Sequence, residues 1–440
     1  MLENSISKTI LKYALPNVVS MWIFTLYTMV DGIFISRYVG ELGLAGVNLS
    51  FPLINLIFSI SIMIGVGSST LISIKYGENK IDGGNQILTL ATCVNILISL
   101  CISLIIFLNI NFVIKILGAV ESDEVFPYVK NYLSYIILFS LFYMSGYAFE
   151  IYIKVDGKPI YPLICVIVGG LTNIVLDYIL IVKFQFGVKG AAIATGISQM
   201  TTCSLLFFYI KFKARTIKFV KLKKEYLKKS FSIFKYGFSE FITEISTGLL
   251  ILIYNLVILS KIGVFGVSIF GVISYLSSFI VMSMIGYSQG LQPVMSYLLG
   301  KKDYKNLSNI FKHSLYFLGF LGITCYFFIN YFSLEIGEIF FKDIRSIKKV
   351  KAVISIYSFY YLFLGINIFI SSYFTAIKRV FYSAFITFPR GILFNSLFLS
   401  FLPIFLGENG IWLSAFFSEL STLSISIYLI YLHKVKKGKE

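Results

Sequence analysis

Two aspartates lie inside stretches that are apolar enough to cross a bilayer. Asp31 sits near the end of YALPNVVSMWIFTLYTMVDGIFI (13–35), and Asp177 near the end of IYPLICVIVGGLTNIVLDYILIV (160–182). A carboxylate in hydrocarbon costs at least about 2.5 kcal/mol on insertion scales and marks a pathway or a site. Helix rise places Asp31 roughly 28 Å along its helix from Lys12, and Asp177 roughly 27 Å from Pro159, so the two acids share one level. Tyr27 precedes Asp31 by four residues and Asn173 precedes Asp177 by four, each on the same helical face as its acid. Thr195 enters from the next span, and the five residues form one candidate cluster. Carboxylates that close titrate as a pair. They could hold a proton, or Na⁺ with the Asn and Thr oxygens as further hard ligands. A static hydrogen-bond network that only orients helices is the alternative.

The second half carries a different set: Glu240 and Glu244, Arg390 beside Pro389, and Glu419. A buried Arg390 requires one of these acids as partner. The remaining carboxylates either attract a cationic substrate or complete a structural ion-pair set. Glu150 stands four residues before Lys154 and reads as an i,i+4 surface pair. With Arg390 as the lone interior base, acids and aromatic rings together favour lipophilic cations over anions.

These residues must be positioned by a membrane-embedded scaffold. The chain has 440 residues, is 57% hydrophobic and 13% charged, and its mean hydropathy is +0.85. Twelve runs reach the length that a bilayer core of about 30 Å demands: 13–35, 50–72, 86–108, 131–153, 160–182, 189–210, 231–258, 266–290, 313–333, 352–374, 380–404 and 410–432. The net charge of +17 is scattered over many short loops, which argues against a nucleic-acid surface. Lys and Arg concentrate in alternate loops and at both ends, so both termini are expected in the cytoplasm. No cleaved signal peptide is expected at MLENSISKTILKYALP. The five cysteines fall inside apolar runs and read as core filler. A basic run, 211–235, falls at the midpoint and reads as an amphipathic linker on the anionic membrane face. The expected division is 1–210 for one six-helix bundle, 211–230 for the linker, and 231–440 for a second bundle with a basic tail.

The halves repeat. A shift of 223 residues lays KYALPNVV on KYGFSEFI and Gly40, Gly43, Gly67 and Gly77 on Gly263, Gly266, Gly290 and Gly300. Near the ends of the halves the shift is 220, and FGVKGAA (186–192) falls on LGENGIW (406–412). Six spans per half put both halves the same way up, a parallel repeat typical of transporters. The fold class is therefore all-α integral membrane, with twelve helices in two parallel-repeat bundles. No GxxxxGK[ST] occurs, so ATP is not the direct energy source. There is also no HExxH and no paired Asp motif for a membrane metalloenzyme.

Three stretches carry a family resemblance: ALPNVVSMWIFTLYTMVDGIFISRYVGELGLAGV, DGKPIYPLICVIVGGLTNIVLDYIL with FGVKGAAIATGISQ, and GYSQGLQPVMSYLLGKK. They resemble the multidrug and toxic compound extrusion (MATE) family, nearest to its bacterial DNA-damage-inducible and staphylococcal-type branches. The resemblance implies a V of two six-helix bundles and no enzymatic activity. It implies export of cationic, amphipathic small molecules by a monomer, coupled to H⁺ or Na⁺ and without a further cofactor. Its N-lobe site maps onto Tyr27, Asp31, Asn173, Asp177 and Thr195, and its bending proline in helix 1 onto Pro16. Position 150 departs from the family pattern: many relatives have Asn where this chain has Glu, which would add a third carboxylate. A flippase for lipid-linked saccharides, from the same superfamily, is the competing reading.

Overall fold

A computed structural model describes residues 3–437, in which all regular structure is helical. Among the described residues, twelve helices are long and apolar enough to span a membrane: α1 (Ile6–Tyr38), α2 (Glu41–Gly77), α3 (Ile81–Leu108), α4 (Phe126–Val155), α5 (Ile160–Lys183), α6 (Gly187–Lys213), α7 (Lys224–Lys261), α8 (Phe265–Lys301), α9 (Tyr304–Tyr331), α10 (Ile344–Ala376), α11 (Val380–Leu406) and α12 (Glu408–Val435). Gly438, Lys439 and Glu440, the end of the expected basic tail, lie outside the described residues. The large apolar side chains left exposed, such as Leu97, Phe320 and Phe405, face outward where lipid would cover them. Cys93 and Cys101 join that exposed surface, a correction to the expectation that all five cysteines fill the core.

The repeat is visible in the backbone. Gly40 (φ 97°) turns α1 into α2, and Gly263 (φ 88°) turns α7 into α8. Gly187 (φ 58°) and Gly407 (φ 56°) open α6 and α12 in the same way. Each is a left-handed position that a Cβ would strain. The halves meet where α2 packs on α7 and α1 on α8. Where α2 also crosses α8, the repeat-related Gly77 and Gly300 touch each other's helices reciprocally. A side chain on Gly77 would strike the backbone of Tyr297 and Gly300, and one on Gly300 would strike the backbone of Ile74. Ile74 and Tyr297 are themselves 223 residues apart, so the two-fold axis relating the halves passes through this crossing. Gly300→Val is therefore expected to force the bundles apart, at about 1–3 kcal/mol of overpacking. Gly271→Ala, which meets nothing within 4 Å, should leave the melting temperature in detergent unchanged.

The linker between the halves is an extended strap. After α6 the chain runs without helix through residues 214–223. Asp156, in the α4–α5 turn, accepts from the backbone N–H groups of Arg215 (3.1 Å), Thr216 (2.7 Å) and Ile217 (3.2 Å) and from the Tyr209 hydroxyl (2.9 Å). Asn85, Thr89 and Gln86 of α3 hold Lys218, Val220 and Lys223 by their N–H groups at about 3 Å. Ile217 is buried, with Phe219 and Leu222 packed beside it, while Lys218, Lys221 and Lys223 point outward. The alternation keeps the period of two expected of extended backbone over 217–219 and again over 221–223, with its phase slipping by one residue at Val220. Asp156→Ala should free this strap, and trypsin should then cut at Arg215 and Lys218 faster than in the parent protein.

Candidate functional site

In the N-terminal bundle α1, α5 and α6 bring the five predicted residues into one region. Asn173 Nδ2 donates to Thr195 Oγ1 at 3.3 Å, joining α5 to α6. Asn173 and Asp177 are fully buried, and Asp31 is 9% exposed. Asp31 Oδ1, Asn173 Oδ1 and both carboxylate oxygens of Asp177 accept no hydrogen bond from any described residue. Buried acceptors are nearly always satisfied, so four orphans in one region call for a proton or a cation. Asp177 ends the regular part of α5, and the chain continues through a π-helical turn, Tyr178–Lys183. Such turns inside α-helices are frequent at functional sites.

Tyr27 joins this cluster to a cavity. Its hydroxyl accepts from Gln199 Nε2 at 3.2 Å, and its ring lines an open space that Asp31 and Asp177 do not line. The walls are aromatic: Phe24 meets Tyr27 edge-on at 5.2 Å, and Phe58 packs against Tyr143 at 5.3 Å and Tyr147 at 5.2 Å. α7 and α8 of the other bundle close the space with Glu244, Met282, Ile285 and Gln289. It is thus an inter-bundle cavity whose rings and acids suit a flat cation. Tyr143, Tyr147 and Gln199 were missed from the sequence. Gln199 carried a usable signal, one turn beyond Thr195 on the same face.

Glu150 is placed differently from the sequence expectation. It lines the cavity rather than the protein surface, and its ion pair with Lys154 (2.8 Å) is buried, with Lys154 only 4% exposed. Arg390 is therefore not the lone interior base. The inward turn of α4, which packs against α2, α3 and α6, carries both residues into the core. α1 runs as a single helix through Pro16, which is itself buried.

The C-terminal bundle has its own polar centre. Arg390 lies in a π-helical turn, Pro389–Leu393, and its Nε donates to Glu419 Oε1 at 2.8 Å. Asn367 Nδ2 donates to Glu419 Oε2 at 2.7 Å. Glu240 and Glu244, one turn apart on α7, have no ion-pair partner among the described residues, and both face the space between α7, α8 and α10.

Two helical bundles related by a two-fold axis, holding buried carboxylates without ion-pair partners and walling a shared aromatic cavity, have the architecture of a transporter rather than an enzyme. The chain belongs to the MatE family, whose sequence profile matches residues 16–179 and 241–399. It is 26% identical over 334 residues to the multidrug export protein MepA of Staphylococcus aureus, covering 73% of this chain and 71% of that one. An outward-facing multidrug resistance MATE family transporter of the MOP superfamily superposes with a TM-score of 0.92 at 19% identity, covering 99% of this chain and 98% of that one. A MOP superfamily transporter from Pyrococcus furiosus, described as having a binding pocket of reversed polarity, gives 0.90 at 19% identity, with 99% and 97% covered.

Proposed function

We propose that this protein exports lipophilic cationic and amphipathic compounds across the bacterial cytoplasmic membrane in exchange for H⁺ or Na⁺. The single observation that carries the reading is the set of unpartnered oxygens on Asp31, Asn173 and Asp177 beside a cavity walled by rings and acids. The ion binds these oxygens when the bundles open outward, and substrate leaves. The reloaded bundles then rock about the glycine crossings near the termini, with Pro16 as the place where α1 gives. Both termini face the cytoplasm, and one chain suffices. The name of the staphylococcal relative supports multidrug cargo. Flipping of a lipid-linked saccharide is disfavoured, because Arg390 and Lys154, the interior bases among the described residues that the two cavities approach, are both engaged by glutamates. The test is efflux of a fluorescent cation from vesicles under an imposed pH gradient and, separately, a sodium gradient. Accumulation that follows neither gradient would overturn the coupling.

A further inference from the structure

We propose that Lys154 is a tethered stand-in for the cargo's ammonium group, holding Glu150 in the empty transporter and yielding it when a cation binds. The inference rests on the export of cations proposed above. Glu150 lines the cavity, whereas Lys154 approaches it from behind, one helical turn further along α4. The Nζ–Oε1 contact of 2.8 Å has the length of a charge-assisted hydrogen bond. A buried pair of this kind carries a desolvation penalty, so it is a weak choice for stability alone. Lysine suits displacement because its charge is a compact point on a flexible stem.

A second contact gives the displaced amine somewhere to stay. Lys154 Nζ also donates to Asn17 Oδ1 of α1. Asn17 in turn donates from Nδ2 to the Gly286 carbonyl of α8, in the opposite bundle, at 2.6 Å. Here α1 and α8 are in backbone contact, since a Cβ on Gly286 would sit 3.0 Å from the Val18 Cα. The chain Glu150–Lys154–Asn17–Gly286 thus runs from the cavity wall to the junction of the two bundles. When cargo takes Glu150, the ammonium is left to Asn17 alone, and the hydrogen bond bridging the bundles is perturbed at the same time. Glu244, on the far wall, has no such internal cation and is open to the cargo from the outset.

A tethered competitor lowers apparent affinity, so removing it should raise affinity. Binding of tetraphenylphosphonium to purified protein is the measurement. Lys154→Met should bind it about tenfold more tightly than the parent protein. Lys154→Gln, which keeps an amide for Asn17 and guards against misfolding, should also bind more tightly. Glu150→Gln combined with Lys154→Met should lose the gain. Equal or weaker binding by both Lys154 variants, with melting curves as cooperative as those of the parent, would overturn the assignment. Failure of the parent alone to bind, while Lys154→Met binds, would count against the proposed cargo and for the tethered competitor.

Discussion

Asp177→Asn is expected to lower ion-driven efflux by at least about 100-fold, some 3 kcal/mol in rate terms, while leaving the protein as stable as before or more so. The pairing of those outcomes follows from the hydrogen-bond inventory. In a static network, a buried carboxylate accepts bonds whose loss leaves donors stranded, and replacement costs about 1–3 kcal/mol. Asp177 accepts none from any described residue, so there is no donor to strand. Asparagine keeps the shape and removes the acid that must gain and lose a proton or bind a cation. Asp31→Asn should behave in the same way, because Asp31 Oδ1 is likewise unpartnered. Thr195→Val should be milder, since Thr195 reaches the cluster only through the 3.3 Å bond from Asn173. The measurements are efflux under an imposed gradient and thermal melting of the same preparations. A variant that melts lower and still pumps would make the cluster a scaffold instead of a coupling site.

The architecture was legible because a bilayer makes few demands and enforces them strictly. Backbone groups must be satisfied within each span, so length and apolarity reveal the helices. The repeat could be read at Gly40, Gly77, Gly263 and Gly300 because turn chirality and backbone crossings tolerate no other residue there. The five residues of the N-terminal cluster could be gathered by helical rise and face, which act along a single element and need no knowledge of packing. Glu150 and Lys154 exposed the limit of that approach. Their i,i+4 spacing announced a pair but not its surroundings, and whether a helix end lies in solvent or under neighbouring helices is decided by tertiary packing. Gln199 to Tyr27 and Lys154 to Asn17 are contacts between helices distant in sequence, for which one chain offers no periodic signal.

Arg390→Met should destabilise the protein by about 3–5 kcal/mol, the cost of leaving a buried acid unpaired, and lower its melting temperature by several degrees. Glu419 is 2% exposed and holds the guanidinium through Nε, so methionine would strand its Oε1 in an apolar bundle. Asn367 would still serve Oε2, which bounds the loss. The surrounding backbone adds to the sensitivity. The Arg390 carbonyl, in the π-helical turn, accepts from Asn395 Nδ2 at 2.6 Å and from Ser418 Oγ at 3.3 Å, so a shift of this residue disturbs α12 as well as α11. Glu419→Gln added to Arg390→Met removes both charges together and should recover most of the stability, because the pair is worth little beyond mutual neutralisation. The same double variant separates two roles for the C-terminal charges. If they only hold α11 against α12, it should retain at least about half of the parent's efflux despite lacking both charges. If the cavity needs them to receive cargo, stability should return without transport. The contrast with Asp177→Asn is physical: Arg390 and Glu419 satisfy each other, whereas the oxygens of Asp177 are left for an ion to satisfy.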